Sequence, residues 1–392
     1  MRVGIDARHL PEGRGVARYL QRTLAALARR FPQDEWVALV PGRAPVAAPA
    51  GVSLVRTRLP GRALFGLGAI AGRPTLQRLL GAAVDVVWLP APAPVALAPG
   101  TPYVLTVHDL SFEQRPADYT AYERLWHRAG RLSALARGAQ RVIAVSGPTR
   151  DAVVEHWGVP AARVDVVHPG AGAVTGDAAD GHTPGSAATS SGPCRVDVDM
   201  RRQLDTHATG DGRSRPYVLF VGALEPRKAP ELLAGAYARA RAQGLDAELV
   251  LAGAGRLAPR LRGQPGVRLL GRVDGPQLDA LYRDALAVVL PSHAEGFGLP
   301  PLEALARGVP PVVADLAVYD ETLGAGALRF PAGDAGALAA ALVQVASDAG
   351  LRARLVADGR RAMAPLTWEA TAEGVHAAMR RAIAPARAGA PA

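Results

Sequence analysis

Two short stretches of this 392-residue chain carry side chains whose types and spacing suit chemistry on an anion. In YVLFVGALEPRKAP, residues 217–230, Arg227 and Lys228 stand together just after an apolar run. Among the chain's 45 basic residues Lys228 is the single lysine, and all the others are arginine. An ammonium is a compact point charge on a flexible stem and a guanidinium is a planar fork, so the two are not interchangeable where phosphate is held closely. In PSHAEGFGLPPLEALARGVPPVVAD, residues 291–315, Glu295 and Glu303 flank Gly296, Phe297, Gly298, Leu299, Pro300 and Pro301. Proline suits a first helical turn and glycine a stop, so the pattern predicts a helix from around Pro300 and Pro301 to near Gly308, with Glu303 in its first turn. Such a helix start presents N–H groups and positive dipole to an anion or polyol, and the glycines let backbone approach a ligand. The plainer alternatives are a dipole-complementing glutamate and a solvated pair of loop cations.

Elements must bring these groups together. Short β-branched runs recur at Val3–Asp6, Val37–Val40, Val52–Val55, Val84–Leu89, Tyr103–Val107, Val142–Val145 and Val164–Val167. A second series follows at Tyr217–Val221, Ala247–Leu251, Val267–Leu270, Ala287–Leu290 and Pro311–Val313. Ala/Leu/Arg-rich segments between them predict parallel strands with helical crossovers, an α/β architecture in two halves. Residues 171–215 are dominated by Gly, Ala, Asp, Thr, Ser and Pro, too little apolar side chain to repay ordering entropy. They read as a low-complexity linker or insertion dividing an N-terminal unit, 1–170, from a C-terminal unit, 216–366. The segment 367–386 has helical spacing and is expected to pack back on the first unit, leaving a tail at 387–392.

On this plan several further groups end strands, where open α/β sheets bind ligands. His108 and Asp109 follow YVLTV, and Asp6 closes the first strand. A lone histidine is usually structural, and Asp109 has the alternative of capping the next segment. Asp6 either lines a cleft or braces the following loop. A competing motif is LAGAGRLA, in which Gly253, Gly255 and Ala258 match the G-x-G-x-x-A dinucleotide fingerprint, with Asp274 at about the expected separation. That would make the chain an NAD-dependent oxidoreductase. The crossover helix would then have to run through Pro259, Gly263, Pro265 and Gly266, which break helices.

Composition sets the outer bounds. At 49% hydrophobic residues the chain has ample core for two domains, and its net charge of +10 favours acidic partners. The single cysteine, Cys194, has no internal disulfide partner. No leader pattern precedes RVGID, and the most apolar window, 79–100, is interrupted by Asp85 and several prolines. A cytoplasmic protein is expected. Residues 36–84 carry Arg43, Arg56, Arg58, Arg62, Arg73 and Arg78 among leucines and no acid. That surface would suit an anionic bilayer or a phosphorylated acceptor, or is simply a solvated face over core. With aromatic residues at 5% and no recognition module, no nucleic-acid partner is expected.

EGFGLPPLEALARGVPPVVAD and YVLFVGALEPRKAP together closely resemble the retaining nucleotide-sugar glycosyltransferases of family 4, mannosyltransferase-like group 1, which have the GT-B fold of two Rossmann-like domains facing across a cleft. GIDARHLPEGRGVARYLQRTLAAL resembles the family's opening strand, Gly-rich loop and first helix. TVHDLSF and VIAVSGPTRDAVVEHWGVPAARVDVVHPG extend the match over most of the chain. The resemblance implies that Arg227 and Lys228 bind the donor diphosphate, that Glu303 accepts from ribose hydroxyls, and that Glu295 faces the donor sugar. It places the backbone of Gly296, Phe297, Gly298 and Leu299 near sugar and phosphate, and Gly222, Gly13 and Gly15 around the phosphates. His108 would lie beside the reacting carbon. The implied reaction moves a hexose, GDP-mannose being the preferred donor, to a glycan, polyprenyl-linked or small-molecule acceptor with retention of configuration. The nucleotide sugar is a substrate, and no cofactor or metal is expected. A non-catalytic sugar-nucleotide-binding module is the alternative. The chain departs from many relatives at Ala223, where they carry arginine, and at Gly147, where an acidic or polar residue is common.

Overall fold

The computed structural model describes residues 1–12, 15–43, 45–58, 61, 66, 71–171 and 215–384. Gly13, Arg62, Cys194, the interior of the 171–215 segment and the 387–392 tail lie outside the described residues, as do Leu64, Phe65, Leu67 and Ile70 of the basic stretch.

The first sheet contains β1 (Arg2–Asp6), β2 (Glu35–Pro41), β3 (Val52–Thr57), β4 (Val86–Leu89), β5 (Tyr103–Val107), β6 (Arg141–Ala144) and β7 (Val164–Val166). The second contains β8 (Tyr217–Val221), β9 (Glu248–Ala252), β10 (Val267–Gly271), β11 (Ala287–Leu290), β12 (Pro311–Ala314) and β13 (Leu328–Phe330). Their orders are β3-β2-β1-β4-β5-β6-β7 and β10-β9-β8-β11-β12-β13, with every described pairing parallel. Strands covered on both faces read as continuous apolar runs, which is why VVWL, YVLTV, ELVLA and AVVL were visible in the sequence. The strand β13 was not among the sequence expectations. It is a three-residue LRF held in register by β12 and carries Arg329 in its middle.

Both sheets share one topology, in which the strand order reverses between β1 and β4 in the first and between β8 and β11 in the second. The crevice outside the carboxyl ends of the strands at such a reversal is where open α/β sheets bind ligands. The helices that build the crevices are α1 (Gly15–Arg30), α2 (Gly147–Trp157), α3 (Pro230–Ala242), α4 (Gly275–Asp284), α5 (Leu299–Ala306) and α6 (Val318–Thr322).

A last helix, α7 (Trp368–Ile383), starts at a Thr367 cap whose hydroxyl accepts the Ala370 amide. It buries Trp368, Ala372, Val375, Ala378 and Met379 in the core beneath β1, β2 and β4, with Val3, Ile5, Trp36 and Trp88. The chain crosses between the units twice, side by side: the Ala171 amide donates to the Leu366 carbonyl at 2.7 Å, and the Thr371 hydroxyl to the His168 carbonyl at 2.8 Å. Gly170 lies so close to Trp368 that a Cβ there would sit 2.5 Å from the Trp368 amide nitrogen.

Candidate active site

The loops after β8 and β11 meet at the reversal point of the second sheet. The His293 amide donates to the Arg227 carbonyl at 2.8 Å, tying the two loops through main chain. On that tie the Lys228 ammonium donates to Glu295 Oε1, and the Ser292 hydroxyl donates to the same oxygen at 2.7 Å. Both charged side chains are largely enclosed, 13% and 7% exposed. Burial lowers the Lys228 pKa, Glu295 pulls the other way, and the neighbouring Arg227 adds to the fall. For Arg227 burial opposes the charge, but Glu295 and Asp109 more than offset it and raise its pKa. An ammonium has three donors and Glu295 takes one, so the group stays able to bind a second anion.

The helix after β11 begins one to two residues earlier than the proline pattern predicts. Gly298, at φ 84°, is the cap of α5, Leu299 is its first residue, and Pro300 and Pro301 follow. Glu303 therefore stands in the second turn, a correction to the first-turn expectation. The prolines matter further: of the first four amide positions of this helix, Pro300 and Pro301 carry no N–H, so the donors left at its tip are Gly298 and Leu299. Gly298 needs its missing side chain twice over, for its positive φ and because a Cβ would lie 2.7 Å from the Tyr319 ring. Phe297 is buried, its ring centroid 5.8 Å from that of His168.

Glu303 faces the other unit. Its Oε1 is bonded by Arg18 of α1, and its Oε2 accepts the Tyr282 hydroxyl at 2.9 Å. Burial raises the Tyr282 pKa well above its ordinary value, and the adjacent Glu303 carboxylate raises it further. Gly15 is the exposed first residue of α1, and the Gly222 amide donates to the Ala252 carbonyl at 3.1 Å between β8 and β9.

From the first sheet, His108 and Asp109 follow β5. His108 Nε2 meets the Pro90 carbonyl at 2.8 Å, and its ring packs edge-on to Tyr19 with centroids 4.9 Å apart. A carbonyl only accepts, so Nε2 carries the proton. Burial lowers the pKa below 6.5, so the neutral ring leaves Nδ1 as an acceptor. Asp109 accepts the Ser111 amide at 2.9 Å and the Ser111 hydroxyl at 2.5 Å, bracing its own turn. Burial works to raise its pKa, but Arg227 across the cleft and Ser111 together hold it low. Asp6 likewise braces its loop: Arg8 Nε donates to both its carboxylate oxygens at 3.0 and 2.7 Å, and the Arg8 guanidinium reaches the Pro94 carbonyl.

The units touch backbone to backbone at Gly296. A Cβ there would lie 1.6 Å from the His108 carbonyl oxygen. The structure thus brings His108, Arg227, Lys228, Glu295, Gly296, Phe297, Gly298, Leu299 and Glu303 to one interface.

Sequence reasoning did not find Arg18, Tyr282 or Ser292. Nor did it find the clasp in which Glu321 of α6 accepts the Gly147 amide and meets His168 Nε2 at 2.9 Å. The dinucleotide motif has a packing explanation. Cβ atoms on Gly253 and Gly255 would strike the Gly222 and Leu224 carbonyl oxygens at 1.8 and 2.4 Å, and Asp274 caps α4 through a capping box with Gln277. Among the described residues no group of three or more His, Cys, Asp or Glu is placed to hold a metal ion, and no helix is long and apolar enough to cross a membrane.

Residues 13–171 match the description Glycosyltransferase Family 4, and residues 205–362 match Glycosyl transferases group 1. A D-inositol 3-phosphate glycosyltransferase of Frankia alni is 32% identical over 325 residues, covering 76% of this chain and 74% of that protein. O-antigen chain mannosyltransferase B of Escherichia coli is 29% identical over 280 residues, covering 68% and 67%. Among solved structures, a sucrose-phosphate synthase from Thermosynechococcus elongatus superimposes with a TM-score of 0.68 at 20% identity, over 97% of this chain and 98% of that one. At that identity the likeness gives the fold alone, which is GT-B.

Proposed function

Because the chain belongs to the group 1 glycosyltransferases of family 4, we propose that it transfers a hexose from a nucleoside-diphosphate sugar with retention of anomeric configuration. The observation that carries this reading is the Lys228–Glu295 pair, built from the loops on either side of the second sheet's reversal point. Lys228 and Arg227 offset charge on the departing diphosphate while the Gly298 and Leu299 amides meet its oxygens. Preorganised charge of this kind is often the largest catalytic contribution. Glu295 is then left to orient the donor sugar, and Glu303 accepts the ribose hydroxyls.

Glu295 is committed to Lys228 and Ser292, which suits orientation rather than attack on carbon. A same-face substitution follows, through an oxocarbenium-like state in which the leaving phosphate takes the acceptor proton. Neutral His108 presents an acceptor atom near the reacting centre without adding positive charge beside a developing cation. The mannosyltransferase relative supports mannose as the hexose moved, and GDP-mannose is the donor preferred on this reading. The acceptor is a glycan, a polyprenyl-linked molecule or a small molecule, and no metal is required for departure of the diphosphate. Peripheral contact with an anionic membrane would be a property of the arginine-rich stretch between 36 and 84.

The test is thermal unfolding with GDP, UDP, TDP, ADP or NAD in metal-free buffer, for the wild type and Lys228→Ala. A ligand at about 100 times its dissociation constant adds roughly 2.7 kcal/mol. One nucleoside diphosphate should raise the midpoint, and Lys228→Ala should abolish the rise. Stabilisation by NAD alone would overturn the reading. Transfer assays with the matching sugar nucleotide, with the product anomer read by NMR, separate an enzyme from a pure binder and retention from inversion.

A further inference from the structure

Glu303 receives one hydrogen bond from each side of the cleft. Tyr282, with no exposed surface, donates to Oε2 at 2.9 Å from α4. Arg307 fixes that tyrosine and its surroundings: its guanidinium lies 5.1 Å from the Tyr282 ring centroid, its Nη1 donates to the Glu303 carbonyl at 2.9 Å, and its Nε donates to Asp279 at 2.7 Å. From the opposite unit Arg18 of α1 takes Oε1. A carboxylate offers about four acceptor sites over its two oxygens. With one site taken on each oxygen, one acceptor direction per oxygen is left, the arrangement that a vicinal pair of hydroxyls would use.

We propose that Tyr282 and Arg18 are positioning residues for nucleotide recognition: together they lock the Glu303 carboxylate in the orientation that selects a ribose over a deoxyribose, with the second lock supplied only when the two units meet. The proposal rests on the reading of Glu303 as the ribose-binding group. Its chemistry follows from rotamer freedom. A glutamate with three rotatable torsions would otherwise lose entropy on gripping a diol, and a buried phenol that already holds one oxygen removes most of that loss in advance. Arg18 couples the same carboxylate to the approach of α1, so that ribose selection sharpens as the cleft closes.

Equilibrium binding is measured with GDP and 2′-deoxy-GDP, and in parallel with the UDP and ADP pairs, on the wild type, Tyr282→Phe, Arg18→Met and Glu303→Gln. The wild type should prefer the ribonucleotide by about tenfold or more, the usual weight of a hydrogen bond to a charged group. Tyr282→Phe should cut that preference to about threefold or less while changing deoxynucleotide affinity little, a pattern that general loss of structure does not give. Should Tyr282→Phe not fold, Arg18→Met carries the same test, because the Arg18 side chain is 43% exposed and its loss is tolerable to the fold. An undiminished ribose preference in the folded variants overturns the proposal. A wild type that binds nucleoside diphosphates through Lys228 but shows no ribose preference overturns instead the assignment of Glu303 on which it rests.

Discussion

The carboxylate of Glu321 accepts the amide of Gly147 through both oxygens, at 3.1 and 3.0 Å, and so seats a side chain of the second unit on the first turn of α2 in the first. The helix end contributes its partial positive charge to the contact. The absence of a side chain at Gly147 gives this carboxylate its room. A Cβ at 147 would lie 2.3 Å from Glu321 Oε1, so the anion is supplied from across the cleft.

Gly147→Ala and Glu321→Gln should each destabilise the protein by roughly 1 kcal/mol, the scale of a charge at a helix N-terminus. The double variant should cost less than the sum, with a coupling of about 0.5 kcal/mol or more. Urea unfolding of the four proteins checks this; strictly additive effects would mean that the clasp contributes nothing in solution.

Gly296 packs against the His108 carbonyl of the other unit, main chain rather than a side chain able to swing away. Gly296→Ala should therefore hold the cleft ajar and leave both sheets folded. Because a misplacement of about 1 Å can cost a hundredfold, turnover should fall by about that factor or more. Small-angle scattering should show a larger radius of gyration than in the wild type, and an unchanged radius with unchanged turnover would refute the steric argument.

The strands were legible because parallel strands buried on both faces carry an apolar signature that needs no partner to be seen. That Lys228, Glu295 and the start of α5 share one end of the second sheet was legible for a related reason: each lies in or just after the loop that leaves the carboxyl end of β8 or β11. The start of α5 was misplaced because Gly298 caps it by backbone conformation alone, with no capping side chain to mark the position. β13 escaped because three residues with an arginine in the middle carry no strand pattern. The cross-cleft partners escaped for a deeper reason. Arg18 and Glu303 are 285 positions apart, Gly147 and Glu321 are 174, and only the docking of two folded units creates those pairs. Surface arginines in a chain this rich in arginine give no local sign of which one will reach across.

His108 gives the protein a pH dependence with a defined sign. Burial lowers its folded-state pKa below 6.5, so as pH falls through about 6.5 the unfolded chain takes up a proton that the folded chain resists. The folded state then binds fewer protons than the unfolded one, and stability drops with falling pH in that window, returning as pH rises above 6.5. His108→Gln should flatten this limb of the stability curve while removing activity. Denaturant titrations at steps between pH 5 and 8 measure it, and an identical slope in the variant would assign the dependence to other groups.

Trp368 tests how far the chain's last helix belongs to its first unit. It is 3% exposed and sits among Val3, Ile5, Trp36 and Trp88, although it lies far from all of them along the chain, in the helix that follows the second unit. Removing a buried indole leaves a cavity as well as lost apolar burial, so Trp368→Ala should cost about 3–5 kcal/mol. The loss should appear in the first unit rather than the second, where the neighbouring sequence lies. Native-state hydrogen exchange separates the alternatives: faster exchange in β1, β4 and β5 with β8, β9 and β11 unchanged is the expected pattern. Loosening confined to β8–β13 would show that α7 serves the nucleotide-binding unit and merely rests against the other.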